Sequence, residues 1–264
     1  MQFGVCIGAG GLDQWGVGYS RIPNAAKLGF DYVELPLFQV AAMPDAAFED
    51  ELLWRLTDVG IPALACNCFF PGDVRLTGPE RDEGKIAEYT ERALERAERA
   101  GVQVVVLGSG DARNLSPETN TADGYQQFAA SLRIAAPIAA KHGIKIAIEP
   151  LNRLESNIVT SYLAGLYAAA LSGEPNVGTL VDAYHFGLGN EPLSDLSVCT
   201  PMHVHYADLL GRKVPKRAGE WGNMFFAALR QTGYDGLVSL EGGIDGEFDE
   251  TAGVALEALR EMTK

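Results

Sequence analysis

Positive charge is scarce in this 264-residue chain: 21 Lys and Arg stand against 35 Asp and Glu, for a formal net charge of −14. Loose binding to nucleic acid or to an anionic membrane depends on Lys and Arg displacing counterions, so neither is expected as a partner. Cysteine is scarce too. The four, Cys6, Cys66, Cys68 and Cys199, are too few for a disulfide scaffold and read as reduced thiols in a cytoplasmic protein. Cys66 and Cys68 lie two apart in LACNCFF, which on a strand gives them one face. They have no second pair nearby to complete a zinc pattern. No run approaches the ~20 apolar residues of a membrane span. The opening MQFGVCIGAG has no basic stretch ahead of its apolar letters and reads as a first strand, not a signal peptide.

What is present repeats. Short β-rich runs occur at 3–8, 32–37, 61–69, 102–108, 144–149, 177–182, 201–207 and 236–241. Between them lie segments of helical spacing, among them GKIAEYTERALERAERAG and GYQQFAASLRIAAPIAAKHG, the second with an interior Pro137 expected to kink it. Gly29, Gly60, Gly101 and Gly143 each stand where a helix should stop before the next strand. Strict strand–helix alternation implies a parallel sheet, and eight units imply its closure into a (β/α)8 TIM barrel of class α/β. The rival, an open doubly wound sheet, would carry a dinucleotide-binding glycine turn after the first strand. GAGGLDQWG offers Gly8 and Gly10 but no third glycine at the right offset. With no linker or composition shift, residues 1–264 are expected to form one domain.

Barrel enzymes place their chemistry at the C-terminal ends of strands. Those ends carry Glu149 on the fifth strand, Asp182 on the sixth, His205 on the seventh and Glu241 on the eighth. Strand alternation puts Glu149 on the face of Ala147, with Ile146 and Ile148 outward. It puts Glu241 on the face of Ser239, with Val238 and Leu240 outward. One acid at a strand end is ordinarily a solvated loop residue or a cap. Three carboxylates and an imidazole on four consecutive strands form a like-charge cluster that protonates or splays apart without a cation. A hard O/N donor set of this kind suits Mn²⁺, with Mg²⁺ or Co²⁺ as alternatives. His203 shares the strand face of His205 and is expected to hydrogen-bond behind it. Trp15, Phe38, Phe69 and Phe70 follow the first three strand ends and could wall a pocket or pack the core, and Cys66 could line the same wall. His142, in AAKHG, complements a helix C-terminus.

The segments IEPLNRLESN, LVDAYHF, HVHYADLLGR and VSLEGG resemble the metal-binding strands of the sugar isomerase/epimerase superfamily with xylose-isomerase-like barrels, closest to the ketose 3-epimerases of the tagatose/allulose group. The resemblance covers nearly the whole chain. It implies that Glu149, Asp182, His205 and Glu241 hold a divalent metal and that residues matching Glu155, His185 and an arginine after the seventh strand hold the substrate. That arginine usually stands six residues past the metal histidine. Here Gly211 is sixth and Arg212 seventh, so Arg212 is assigned, with Arg217 as the alternative. The resemblance further implies a homodimer or homotetramer.

The expected chemistry is epimerisation of a free ketose at C3 through an enediolate, with Glu149 and Glu241 as the acid/base pair. The absence of a phosphate-binding glycine loop after the last two strands favours an unphosphorylated sugar. Aldose–ketose isomerisation and dehydration of an inosose or dehydroshikimate type remain alternatives on the same scaffold, as does a non-catalytic sugar-binding subunit. Apurinic-site endonucleases share the barrel but need histidines on earlier strands, and no histidine here precedes residue 142.

Overall fold

The computed structural model describes residues 1–8 and 13–264. The glycine turn noted above falls partly on 9–12, outside the described residues. Eight parallel strands close into a barrel in chain order: β1 (Gln2–Cys6), β2 (Tyr32–Pro36), β3 (Ala63–Asn67), β4 (Val104–Leu107), β5 (Lys145–Ile148), β6 (Val177–Asp182), β7 (His203–Tyr206) and β8 (Leu237–Leu240), with β8 pairing back onto β1. The strands are shorter than the β-rich runs, because the flanking apolar residues pack in loops. Among the described residues no helix is long and apolar enough to cross a membrane.

The helices form for local reasons. Asp82, Asn120 and Ser161 cap theirs by accepting from the backbone N–H three residues on. Gly29, Gly60, Gly101 and Gly143 sit at φ of 84°, 69°, 88° and 68°, the left-handed stop that a side chain resists. Pro137 does not interrupt its helix, which runs unbroken over Thr121–Lys141. His142 follows as its C-cap and pairs with Glu98 at 2.8 Å.

Alternation divides the barrel. Ile146, Ile148, Val238 and Leu240 point outward into the large apolar layer beneath the helices. Inside, Tyr32, Ala65, Val104, Val106, Ala147, Leu180 and Leu237 form a small apolar floor. Tyr32 fits because Gly4 faces it: a Cβ there would lie 2.3 Å from the ring. Above the floor the inward positions turn polar, through Glu34, His203 and Ser239, and then to the acids at the strand ends.

Candidate metal centre and substrate mouth

Ligating atoms of Glu149, Asp182, His205 and Glu241 all lie within 4.8 Å of one another. Three features of the barrel bring them there. Asp182 and His205 are direct partners across β6 and β7. The backbone of Glu241 extends β8 by donating to the Tyr206 carbonyl. Gly108, just past β4, leaves room for Glu149, since a Cβ there would come within 1.9 Å of Glu149 Oε2. Glu149, Asp182 and His205 are buried, and Glu241 is partly so.

The electrostatics follow from that crowding. Burial and the neighbouring carboxylates Glu149 and Glu241 raise the Asp182 pKa to about 6, against the opposing pull of His185 and Arg212. Burial also resists ionisation of Glu241, but His205 and Arg212 prevail and hold it at about 2. Arg212 reaches over the cluster. It donates to Glu241 Oε2 at 2.7 Å, lies 3.5 Å from both Asp182 Oδ2 and Glu155 Oε2, and stacks on Tyr184 at 5.3 Å. Gly211 and Arg212 both adopt left-handed backbone, at φ of 73° and 50°. This tight turn, closed by the Asp208 N–H to the Lys213 carbonyl, aims the seventh residue rather than the sixth at the site. Arg217 is exposed.

The residues present fit a divalent cation. Glu149 Oε1 and His205 Nδ1 are buried without a hydrogen-bond partner among the described residues, although His205 Nδ1 lies 3.5 Å from Glu149 Oε1 and 3.2 Å from Glu241 Oε2. A guanidinium already serves Glu241 and Asp182; a cation at the centre of the cluster would serve the two stranded acceptors.

Below the cluster lies a residue that strand-end reading did not find. Glu34, fully buried on β2, accepts from Nε2 of His203 at 2.8 Å and Nε2 of His205 at 2.9 Å, and from the Ser239 hydroxyl. Burial opposes its charge, yet the two imidazoles drive its pKa far below the carboxylate range. A carboxylate that fixes Nε2–H of His205 leaves Nδ1 with its lone pair toward the cluster, the usual support of a metal-bound histidine. The signal was an acid in the apolar run YVELPL, on the inward parity of Tyr32.

His185 approaches from the loop side, its Nε2 3.8 Å from Asp182 Oδ2 and 4.0 Å from both Glu149 Oε1 and Glu155 Oε2. Asn152 ties His185 to Glu155, donating to their Nδ1 and Oε1 at 2.9 and 2.7 Å. Arg113, fully buried, donates to the carbonyls of Leu107 and Glu149 and so pins the ends of β4 and β5.

Beside the cluster opens a cavity of about 380 Å³, lined by Cys6, Pro36, Phe38, Asn67, Cys68 and Arg212 among others. Asn67 donates to Glu241 Oε1 at 3.0 Å. Three expectations need correction. Cys66 lies on the outward face of β3, buried in the layer under the helices, and does not line the cavity. Cys68 does, because it leaves the strand with φ of 51°, so the two thiols do not share a face. Trp15 is likewise not among the lining residues: it packs half-buried against the outer apolar layer. Phe38 lines the cavity, whereas Phe69 and Phe70 are buried and stacked on each other in the core.

Comparison with known proteins agrees with this architecture. The profile of the xylose isomerase-like TIM barrel family matches residues 22–262. An L-ribulose 3-epimerase of Methylomonas sp. (strain DH-1) is 27% identical over 229 residues, covering 83% of this chain and 76% of the relative. A ketose 3-epimerase of Arthrobacter globiformis is 26% identical over 247 residues, covering 89% and 80%. The solved structure of a D-psicose 3-epimerase with D-tagatose from Clostridium cellulolyticum H10 superposes with a TM-score of 0.87 at 19% identity, over 100% of both chains. A 3-keto-D-glucoside 4-epimerase from E. coli does so with a TM-score of 0.82 at 21% identity, over 99% of each. With the barrel closed in the same way and its profile matched almost end to end, the chain belongs to the xylose isomerase-like TIM barrel family.

Proposed function

We propose that this protein is an isomerase that epimerises a free ketose at C3, using Glu149 and Glu241 as paired acid and base. The observation that carries the reading is the convergence of Glu149, Asp182, His205 and Glu241 within 4.8 Å, on strand ends facing one mouth. Relatives named as ketose 3-epimerases, at 25–27% identity, supply the substrate class.

The proton on C3, beside the ketone, is barely acidic in water, so the charge left by its removal must be stabilised. A divalent metal, Mn²⁺ by choice, held by these four residues would supply Lewis-acid stabilisation of negative charge on the substrate oxygens. The residues do the rest. Glu149 and Glu241 project from β5 and β8, three strands apart round the barrel, and so approach a substrate from different sides. One takes the C3 proton and the other returns it to the opposite face, with roles exchanged in the reverse direction. Glu155, His185 and Arg212 close the loop side and hold the O1/O2 end of the sugar, and Phe38 offers an apolar surface to its far end. Among the described residues that line the cavity, one side chain, Arg212, is cationic, which accords with an unphosphorylated substrate.

Incubating the protein with Mn²⁺ in deuterated water tests this directly. The expected result is deuterium at C3 of D-fructose or D-tagatose together with the C3 epimer, lost in Glu149→Gln and Glu241→Gln. Aldose product, or dehydration of an inosose, would move the reaction to another chemistry on the same scaffold. Binding without exchange would make the chain a sugar-binding subunit.

A further inference from the structure

His185 Nδ1 faces two nitrogens of one residue: the backbone N–H of Asn152 at 3.3 Å and its side-chain amide nitrogen at 2.9 Å. A backbone N–H can only donate, so Nδ1 keeps its lone pair and the ring proton sits on Nε2. The amide is not free to turn over. Its Oδ1 accepts from the Leu154 N–H at 2.9 Å, and its Nδ2 also donates to Glu155 Oε1 at 2.7 Å. Nε2 is left buried, without a hydrogen-bond partner among the described residues, and faces the acids of the mouth. His205 is set the opposite way, its Nε2–H given to Glu34 and its Nδ1 lone pair turned toward the same cluster. As neutral rings, the two histidines facing one space differ: His205 presents a lone pair and His185 a proton.

We propose that Asn152 is a positioning residue that holds His185 as an Nε2–H donor aimed at the substrate oxygen next to the reacting carbon. The inference deepens the ketose reading and rests on it for the identity of that oxygen. Charge grows on that oxygen when C3 loses its proton, and a donor already held in place stabilises it without reorganising. The other tautomer would set a ring N–H against two donors at Nδ1. It would also turn a lone pair toward the carboxylates and the sugar oxygens.

The tautomer is read without metal or sugar. In metal-free protein labelled with ¹⁵N-histidine, in mildly alkaline buffer, long-range ¹H–¹⁵N correlations separate the rings, and His185→Gln identifies the His185 signals. Wild type is expected to show a protonated Nε2 and a pyridine-like Nδ1. Asn152→Asp keeps the backbone N–H at 3.3 Å but exchanges the closer amide donor at 2.9 Å for a carboxylate acceptor, which outweighs it and draws the proton to Nδ1. Asn152→Ala keeps the backbone donor and with it the Nε2–H form. In the Mn²⁺-loaded enzyme, Asn152→Asp should lower kcat about 100-fold while KM and Mn²⁺ affinity stay within about threefold, the signature of a donor used in the transition state. An Nδ1–H ring in wild type, or the same tautomer in both Asn152 variants, overturns the proposal. A wild-type protein with the expected tautomer but no isotope exchange sinks the ketose reading instead, so the two failures are distinguishable.

Discussion

Replacing Glu34 by glutamine removes one charge and almost no volume from a position with no solvent exposure. Glu34 accepts three hydrogen bonds, from His203 and His205 at 2.8 and 2.9 Å and from Ser239. A glutamine offers one oxygen and an NH2 group, so at least one ring must meet a donor with its own N–H or give up that tautomer. The His205 that loses its anchor turns its proton onto Nδ1 for part of the time, and that form cannot bind a cation. Loss of such a supporting partner weakens metal binding about 10–100-fold, or about 1.4–2.7 kcal/mol. Titration of wild type and Glu34→Gln with Mn²⁺, followed by the EPR signal of the free ion, measures the ratio. Circular dichroism and thermal melting verify that the barrel survives. Burial opposes a charge on His205, but Glu34 and Glu241 prevail and favour its imidazolium in metal-free protein, so the comparison belongs in mildly alkaline buffer, where proton competition is reduced. An intact variant with wild-type Mn²⁺ affinity would refute the idea that Glu34 sets the ligand.

Other perturbations follow from the same geometry. The raised pKa of Asp182, about 6, means that protons would compete with a bound cation for this carboxylate as pH falls through 6. The Mn²⁺-induced rise in Tm should therefore be large at neutral pH and shrink through that window. In metal-free protein the sign reverses: the folded state holds a proton that the unfolded carboxyl releases, so Asp182 alone lowers stability as pH rises from the ordinary carboxyl value of 3.8 toward 6. Gly108→Ala places a methyl 1.9 Å from Glu149 Oε2 and should cut Mn²⁺ affinity and kcat together by tenfold or more, with melting near that of wild type. Arg212→Ala should lower kcat/KM by about tenfold or more, because it deletes a charge-assisted partner of Glu241. The exposed Arg217→Ala should leave steady-state kinetics unchanged. Equal effects at the two arginines would assign the substrate arginine wrongly.

The barrel was legible because its signals are periodic and local. Glycine stops, capping side chains and strand-length apolar runs each act within a few residues, and eight repeats leave a parallel sheet little alternative to closure. Strand parity alone predicted which side of β5 and β8 carries the acids, and Ile146, Ile148, Val238 and Leu240 do point outward. Parity failed at Cys66 and Cys68, because a positive φ at Cys68 ends the alternation where the strand ends. The arginine ambiguity also lay in a loop, where two left-handed residues decide which side chain turns inward.

Spacing along the chain suffices for the scaffold and the four candidate ligands, since it places each of them on a strand end. How those residues are held rests on contacts between distant elements. Glu34 meets His203 and His205 across 169 and 171 positions of sequence, and Asn152 meets His185 across 33. A histidine's tautomer depends on which donor or acceptor its far nitrogen touches, and for these rings that partner lies on a separate element, brought there only by closure of the barrel.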